Sequence, residues 1–161
     1  MNMIHKSLTA MAALLIGASA FAGSVEPDIS AGVYLRATTA SVDLSSDGSP
    51  VTILKLTVPA GTWLVTAKAN PVNFGAADYA RCVLSVGATQ KDAGATLIGD
   101  AAPGLTGELG PSVAEIVVQT AITTTAAKVF MLSCQHDFAT PGMYVDPGAS
   151  IMVVAAPGPL G

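Results

Sequence analysis

Two cysteines and a histidine are the residues whose types could do chemistry in the body of this chain. Cys82 and Cys134 stand 52 residues apart, in the runs YARCVLSVG (79–87) and AKVFMLSCQ (127–135). There is no C-x-x-C, so two distant cysteines with one histidine make a poor zinc set. In an oxidising compartment the simplest outcome is a Cys82–Cys134 disulfide, whose loop closure is worth about 4 kcal/mol. The other reading is a pair of buried thiols. A serine nucleophile would need His136 as its base, but Asp137 beside it would point to the opposite face of a strand. No G-x-S-x-G elbow occurs, and a histidine at a strand end is expected to be exposed or locally bonded. No catalytic residue is assigned.

The carboxylates Asp78, Asp92, Asp100, Glu108 and Glu115 fall in turns or on polar strand faces, where solvation explains them. Oxygens of Asp43, Asp47, the Gly48 region, Asp92 and Asp100 could meet calcium. Yet DLSSDG lacks the D-x-D-x-D-G spacing, and Asp-Gly is already explained as a turn. Neither a metal site nor a cofactor is expected. The ligand-binding candidates are the aromatics Tyr144, Tyr79 and Trp63. Trp63 heads an alternating strand and suits the core better, whereas Tyr144 lies in the loop PGMYVDPG.

These residues need a scaffold, and the N-terminus says where it is built. Residues 1–22 carry a basic start (His5, Lys6), an apolar stretch over 8–17 and an Ala20-Phe21-Ala22 cleavage pattern. That is the layout of a signal peptide, with an apolar part too short to span a bilayer. The expected location is periplasmic, cell-surface or extracellular. Residues 23–30 read as a flexible arm, 31–156 as one β-sandwich domain and 157–161 as a tail. No later stretch is long and apolar enough for a transmembrane helix, so the mature chain is expected to lack an integral membrane segment.

Of the 161 residues, 51% are hydrophobic, 11% charged and 5% aromatic, with a net charge of −4. That is too apolar for a disordered tail, and the isolated basic residues form no stripe for nucleic acid. After the signal the dominant pattern is period two. Leu54, Leu56 and Val58 share a face, as do Trp63, Val65, Ala67 and Ala69; Pro59-Ala60-Gly61 between them predicts a hairpin. Cys82, Leu84 and Val86 form another inward set, followed by Ile116, Val118 and Thr120, then Phe130, Leu132 and Cys134. SIMVVAA (150–156) suits a central strand. The β-branched residues of these runs favour strands over helices. The predicted class is all-β: an antiparallel β-sandwich of jelly-roll or Greek-key type after a cleaved signal peptide.

The phrase LTVPAGTWLVTAKA (56–69), with CVLSVG (82–87), AAKVFMLSC (126–134) and SIMVVAA (150–156), resembles exported bacterial jelly-roll domains of the tumour necrosis factor/complement type. The resemblance spans about residues 31–156. It implies an extracellular structural or binding domain, sometimes trimeric, and transfers no catalytic residues. The chain is poorer in aromatics than members whose trimer interfaces they fill. The expected function is a secreted, non-enzymatic structural or binding protein that self-associates or meets another surface protein. The alternative is a carbohydrate- or ligand-binding module with a glycan as partner.

Overall fold

Alternating β-branched and polar residues build twelve strands in the computed structural model, which describes residues 28–30, 32–100, 112–138 and 142–156. They are β1 (Asp28–Ser30), β2 (Val33–Ala37), β3 (Val42–Asp43), β4 (Val51–Val58), β5 (Gly61–Ala69) and β6 (Pro71–Val72). Then follow β7 (Asp78–Val86), β8 (Thr89–Ile98), β9 (Ile116–Thr124), β10 (Lys128–His136), β11 (Tyr144–Val145) and β12 (Ser150–Ala155). The signal peptide, the first part of the arm, Glu108 and the tail lie outside the described residues. The last three residues of the segment read as an arm form β1, paired with β2.

The strands form a five-stranded sheet in the order β1-β2-β12-β5-β9, a four-stranded sheet β4-β10-β7-β8 and a small sheet β3-β11-β6, all with antiparallel pairing. The longer strands (β2, β4, β5, β7, β8, β9, β10 and β12) take the order first, eighth, third, sixth in one layer. In the other they run second, seventh, fourth, fifth. That is a jelly-roll β-sandwich, two Greek keys closed on each other.

The core follows the predicted inward faces. Leu54, Leu56 and Val58 on β4, Phe130 and Leu132 on β10, and Leu84 on β7 meet Val65, Ala67, Val118, Ile151 and Val153 of the facing sheet. The ring of Trp63 meets that of Tyr34 edge-on, centroids 5.4 Å apart.

The hairpin over 51–69 is a correction. β4 pairs with β10 and β5 pairs with β9 and β12, so the Pro59-Ala60 link arches from one sheet to the other. Trp63 Nε1 donates to Pro59 O across the arch at 3.2 Å. A Cβ on Gly61 would meet the Trp63 ring at 2.7 Å, so the arch leaves no room for a side chain there. Alternation cannot tell an arch from a hairpin, because either one turns both apolar faces to the same core.

The tight hairpin is instead β7–β8, turned by Gly87 and Ala88 with Gly87 at φ +59°. β8, TQKDAGATLI, lacks an apolar alternation. Its inward positions Asp92, Gly94 and Thr96 are small or polar because it lies against the edge of β9. A Cβ on Gly94 would stand 2.7 Å from Ile116 Cγ2, and Asp92 accepts a hydrogen bond from Gln119 N at 2.7 Å.

Candidate functional site

β7 and β10 are the two inner strands of the four-stranded sheet, and they carry the chemistry-bearing residues. Cys82 and Cys134 are cross-strand partners with Cα atoms 4.1 Å apart and form the disulfide. Both are fully buried, so the bond is a core staple rather than an exposed redox group.

At the end of β10, His136 is a further correction, since it is neither exposed nor bonded locally: its partners are Asp78 and Ser45. His136 and Asp78 are each 1% exposed, and Nδ1 lies 2.9 Å from Asp78 Oδ2. Asp78 therefore does not belong with the solvated carboxylates. His136 Nε2 faces the Ser45 carbonyl oxygen at 2.7 Å, so that nitrogen donates. The Asp78 carboxylate also accepts backbone N–H groups from Tyr79, Asp137 and Phe138. A His–Asp pair of this kind supplies two members of a hydrolytic triad, but the third position is held by a backbone carbonyl in place of a nucleophilic hydroxyl. The pair ties the ends of β7 and β10 to the 44–48 turn. Sequence reasoning coupled His136 to its neighbour Asp137; the partner lies 58 residues earlier in the chain.

Asp137 points outward, as strand alternation requires, and grips Arg81 through two bonds of 2.5 and 2.6 Å. Hydrogen bonding to Arg81 holds the Asp137 carboxyl below its usual range, and the same contact raises the guanidinium. The Arg81 guanidinium carbon lies 5.4 Å from the centroid of the Tyr79 ring.

Tyr79 is exposed on the outer face, opposite Leu97 of β8. Tyr144 is half-buried on β11, between β3 and β6. Trp63 departs from the ligand-binding expectation, since its indole is buried and its N–H is used by Pro59. Two aromatics that the sequence reading did not single out, Phe74 and Phe138, are exposed near the start of β7. Their signal was available in kind: each sits in a polar stretch outside the alternating runs.

Among the described residues, no three His, Cys, Asp or Glu side chains converge to hold a metal ion. Asp47 accepts from the Ser45 hydroxyl and Ser49 N, which holds its carboxyl at about 2. Asp92 is spent on Ala93 N and Gln119 N.

The second surface feature is the outer face of the five-stranded sheet. Register places Val33, Val154, Leu64 and Ala121 in one row across β2, β12, β5 and β9. The next row is Leu35, Met152, Thr66 and Gln119. Leu64 is 47% exposed and Met152 41%. A charged pair, Lys68 with Glu115 at 3.5 Å, stands at one end of β5 and β9. A shallow depression lined by Leu64, Thr66, Gln119 and Ala121 lies between those strands.

No protein-family model matches the chain, and no curated protein does. Among solved structures it is similar to that of infectious bursal disease virus Gx strain, with a TM-score of 0.49 and 14% identity over 85% of this chain and 35% of that one. It is also similar to the VP2 subviral particle of infectious bursal disease virus, at TM-score 0.44 and 14% identity over 81% of this chain and 38% of that one. A tryptic core variant of Cry1Da from Bacillus thuringiensis gives TM-score 0.33 and 11% identity over 84% and 23%. The chain thus spans less than half the length of each of these three chains.

Proposed function

We propose that this protein is an exported, non-enzymatic structural β-sandwich that associates with copies of itself through the outer face of its five-stranded sheet. The observation that carries the reading is the pair of rows led by Val33–Val154–Leu64–Ala121 and Leu35–Met152. An antiparallel sheet with one solvated face ordinarily shows polar residues there. Here four neighbouring strands present an aliphatic row with Leu35 and Met152 beside it, and contiguous exposed apolar patches mark contact surfaces.

A second copy is the occupant that fits best. The two rows carry no charged residue and are repeated on every molecule, so two copies can stack them symmetrically. Their Thr66 and Gln119 can bond across such a stack. The N-terminal signal-like sequence and the buried disulfide support an oxidising, exported setting. The tumour necrosis factor/complement-type resemblance adds assembly as a theme. The committed His136–Asp78 pair supports a non-enzymatic reading.

Sedimentation velocity over a wide concentration range tests the assignment. The expected result is concentration-dependent association of the disulfide-bonded protein, reduced to monomer by Leu64→Glu. A wild-type protein that stays monomeric at the highest concentration, or a folded Leu64→Glu protein that associates as before, would overturn it.

A further inference from the structure

The exposed aromatics are not scattered. Phe74 is 68% exposed, Phe138 58% and Tyr79 44%, and the backbone carries all three to the neighbourhood of the start of β7. Tyr79 pairs with Leu97, which is also exposed. Phe138 N donates to Asp78, the residue before Tyr79. The loop bearing Phe74 is fastened to β8: Asn73 Nδ2 donates to Ile98 O at 3.1 Å and to Ala76 O at 2.8 Å, and Asn73 Oδ1 accepts from Gly75 N at 2.8 Å. Gly99 leaves room for that amide, since a Cβ there would stand 2.6 Å from Asn73 Nδ2.

We propose that Tyr79, Phe74 and Phe138, with the Arg81–Asp137 pair, form a binding platform for a neutral pyranose of a glycan. Three properties of the site fit that ligand. Exposed rings offer faces for the C–H side of a sugar, and a Tyr also keeps a polar tip in water. Beside Tyr79, Arg81 and Asp137 hold each other in a fixed fork, and the guanidinium has five N–H groups of which Asp137 takes two. The N–H groups left over and the carboxylate lone pairs can bond neighbouring hydroxyls. Because Asp137 neutralises Arg81, the fork carries no net charge, which suits a neutral sugar over a sulfated, phosphorylated or sialylated one.

The buried pair explains how an exposed platform stays ordered. Asp78 gathers the backbone N–H groups of Tyr79, Asp137 and Phe138 onto one carboxylate, and His136 anchors that carboxylate to Ser45. A site supported this way has its backbone fixed before a ligand arrives.

The test is a titration of the 15N-labelled, disulfide-bonded protein with maltohexaose, cellohexaose and chitohexaose, followed by two-dimensional NMR. Saturating shifts centred on residues 74, 79, 81, 97 and 138 are expected with at least one of these neutral probes. Tyr79→Ala should weaken that binding by about tenfold or more, as loss of an anchoring aromatic does, and Phe138→Ser should weaken it too. Lys128→Ala, at the far end of β10, should leave it unchanged. The proposal is overturned if none of the three probes shifts these residues at millimolar concentration. It is equally overturned if folded Tyr79→Ala and Phe138→Ser proteins bind as the wild type does, or if 3′-sialyllactose binds in preference to the neutral probes.

Discussion

His136 Nδ1 lies 2.9 Å from Asp78 Oδ2 in a place where neither side chain reaches water. Removing one member of such a pair leaves the other buried without its partner, which costs about 3–5 kcal/mol. Asp78→Ala also removes the carboxylate that Tyr79 N and Phe138 N donate to, while Asp137 N keeps the Tyr79 carbonyl oxygen. Urea unfolding should show Asp78→Ala losing about that much stability, with His136→Ala close behind. A loss below roughly 1 kcal/mol in both variants would mean that the pair is not a structural anchor.

The disulfide gives a separate prediction. Replacing Cys82 and Cys134 together by alanine should lower unfolding stability by about 2–5 kcal/mol. Because both sulfurs are buried, a mild reductant should cleave the bond in the native protein only as fast as the molecule opens. Thiol labelling at increasing urea concentration measures that directly; rapid reduction of the folded protein would contradict the burial.

Gly94 lets β8 pack closely against β9. Gly94→Val should destabilise by about 1–3 kcal/mol through overpacking against Ile116. Combining it with Ile116→Ala should recover part of the loss, because the two sites share one space. Thermal unfolding of the two single variants and the double variant checks this.

Two carboxylates set an acid limb. Asp47 is held at about 2 by its bonds from Ser45 and Ser49, and Asp137 is lowered by Arg81. A carboxylate whose folded value lies below its unfolded value adds stability that is complete above the unfolded value and disappears as pH falls through the folded one. Stability should therefore be flat near neutrality and decline as the pH drops from about 4 toward about 2. Asp47→Asn should make that decline shallower, as measured by urea midpoints at a series of pH values. An unchanged slope would show that Asp47 binds Ser45 and Ser49 no better folded than unfolded.

Much of the fold was legible because alternation is a direct record of burial. The sets Leu54–Leu56–Val58, Cys82–Leu84–Val86 and Phe130–Leu132–Cys134 all face inward. The disulfide was legible for the same reason, as both cysteines share the inward parity of their strands. The arch at Pro59 was not, because parity fixes which face is buried and leaves the pairing partner open. β8 escaped notice since its inward side needs small residues where it meets β9, so its sequence carries no apolar stripe. The His136–Asp78 contact was hidden by distance along the chain: the residues meet only because β10 lies beside β7. Phe74 and Phe138 carry no periodic signal, and their exposure comes from the loop and strand end on which they sit.

The covalent ring closed by Cys82–Cys134 runs through β8 in one sheet and β9 in the other before returning on β10. The two layers are therefore laced together along that side, while β2 and β4 on the opposite side lie outside the ring and meet through contacts that include Arg36 Nη1 to Lys55 O. A partial opening is expected to use the β8–β9 side as its spine and to part first at the edge strand β1 and its neighbour β2. Amide hydrogens there should exchange through a partial opening that leaves the β7–β10 pair closed.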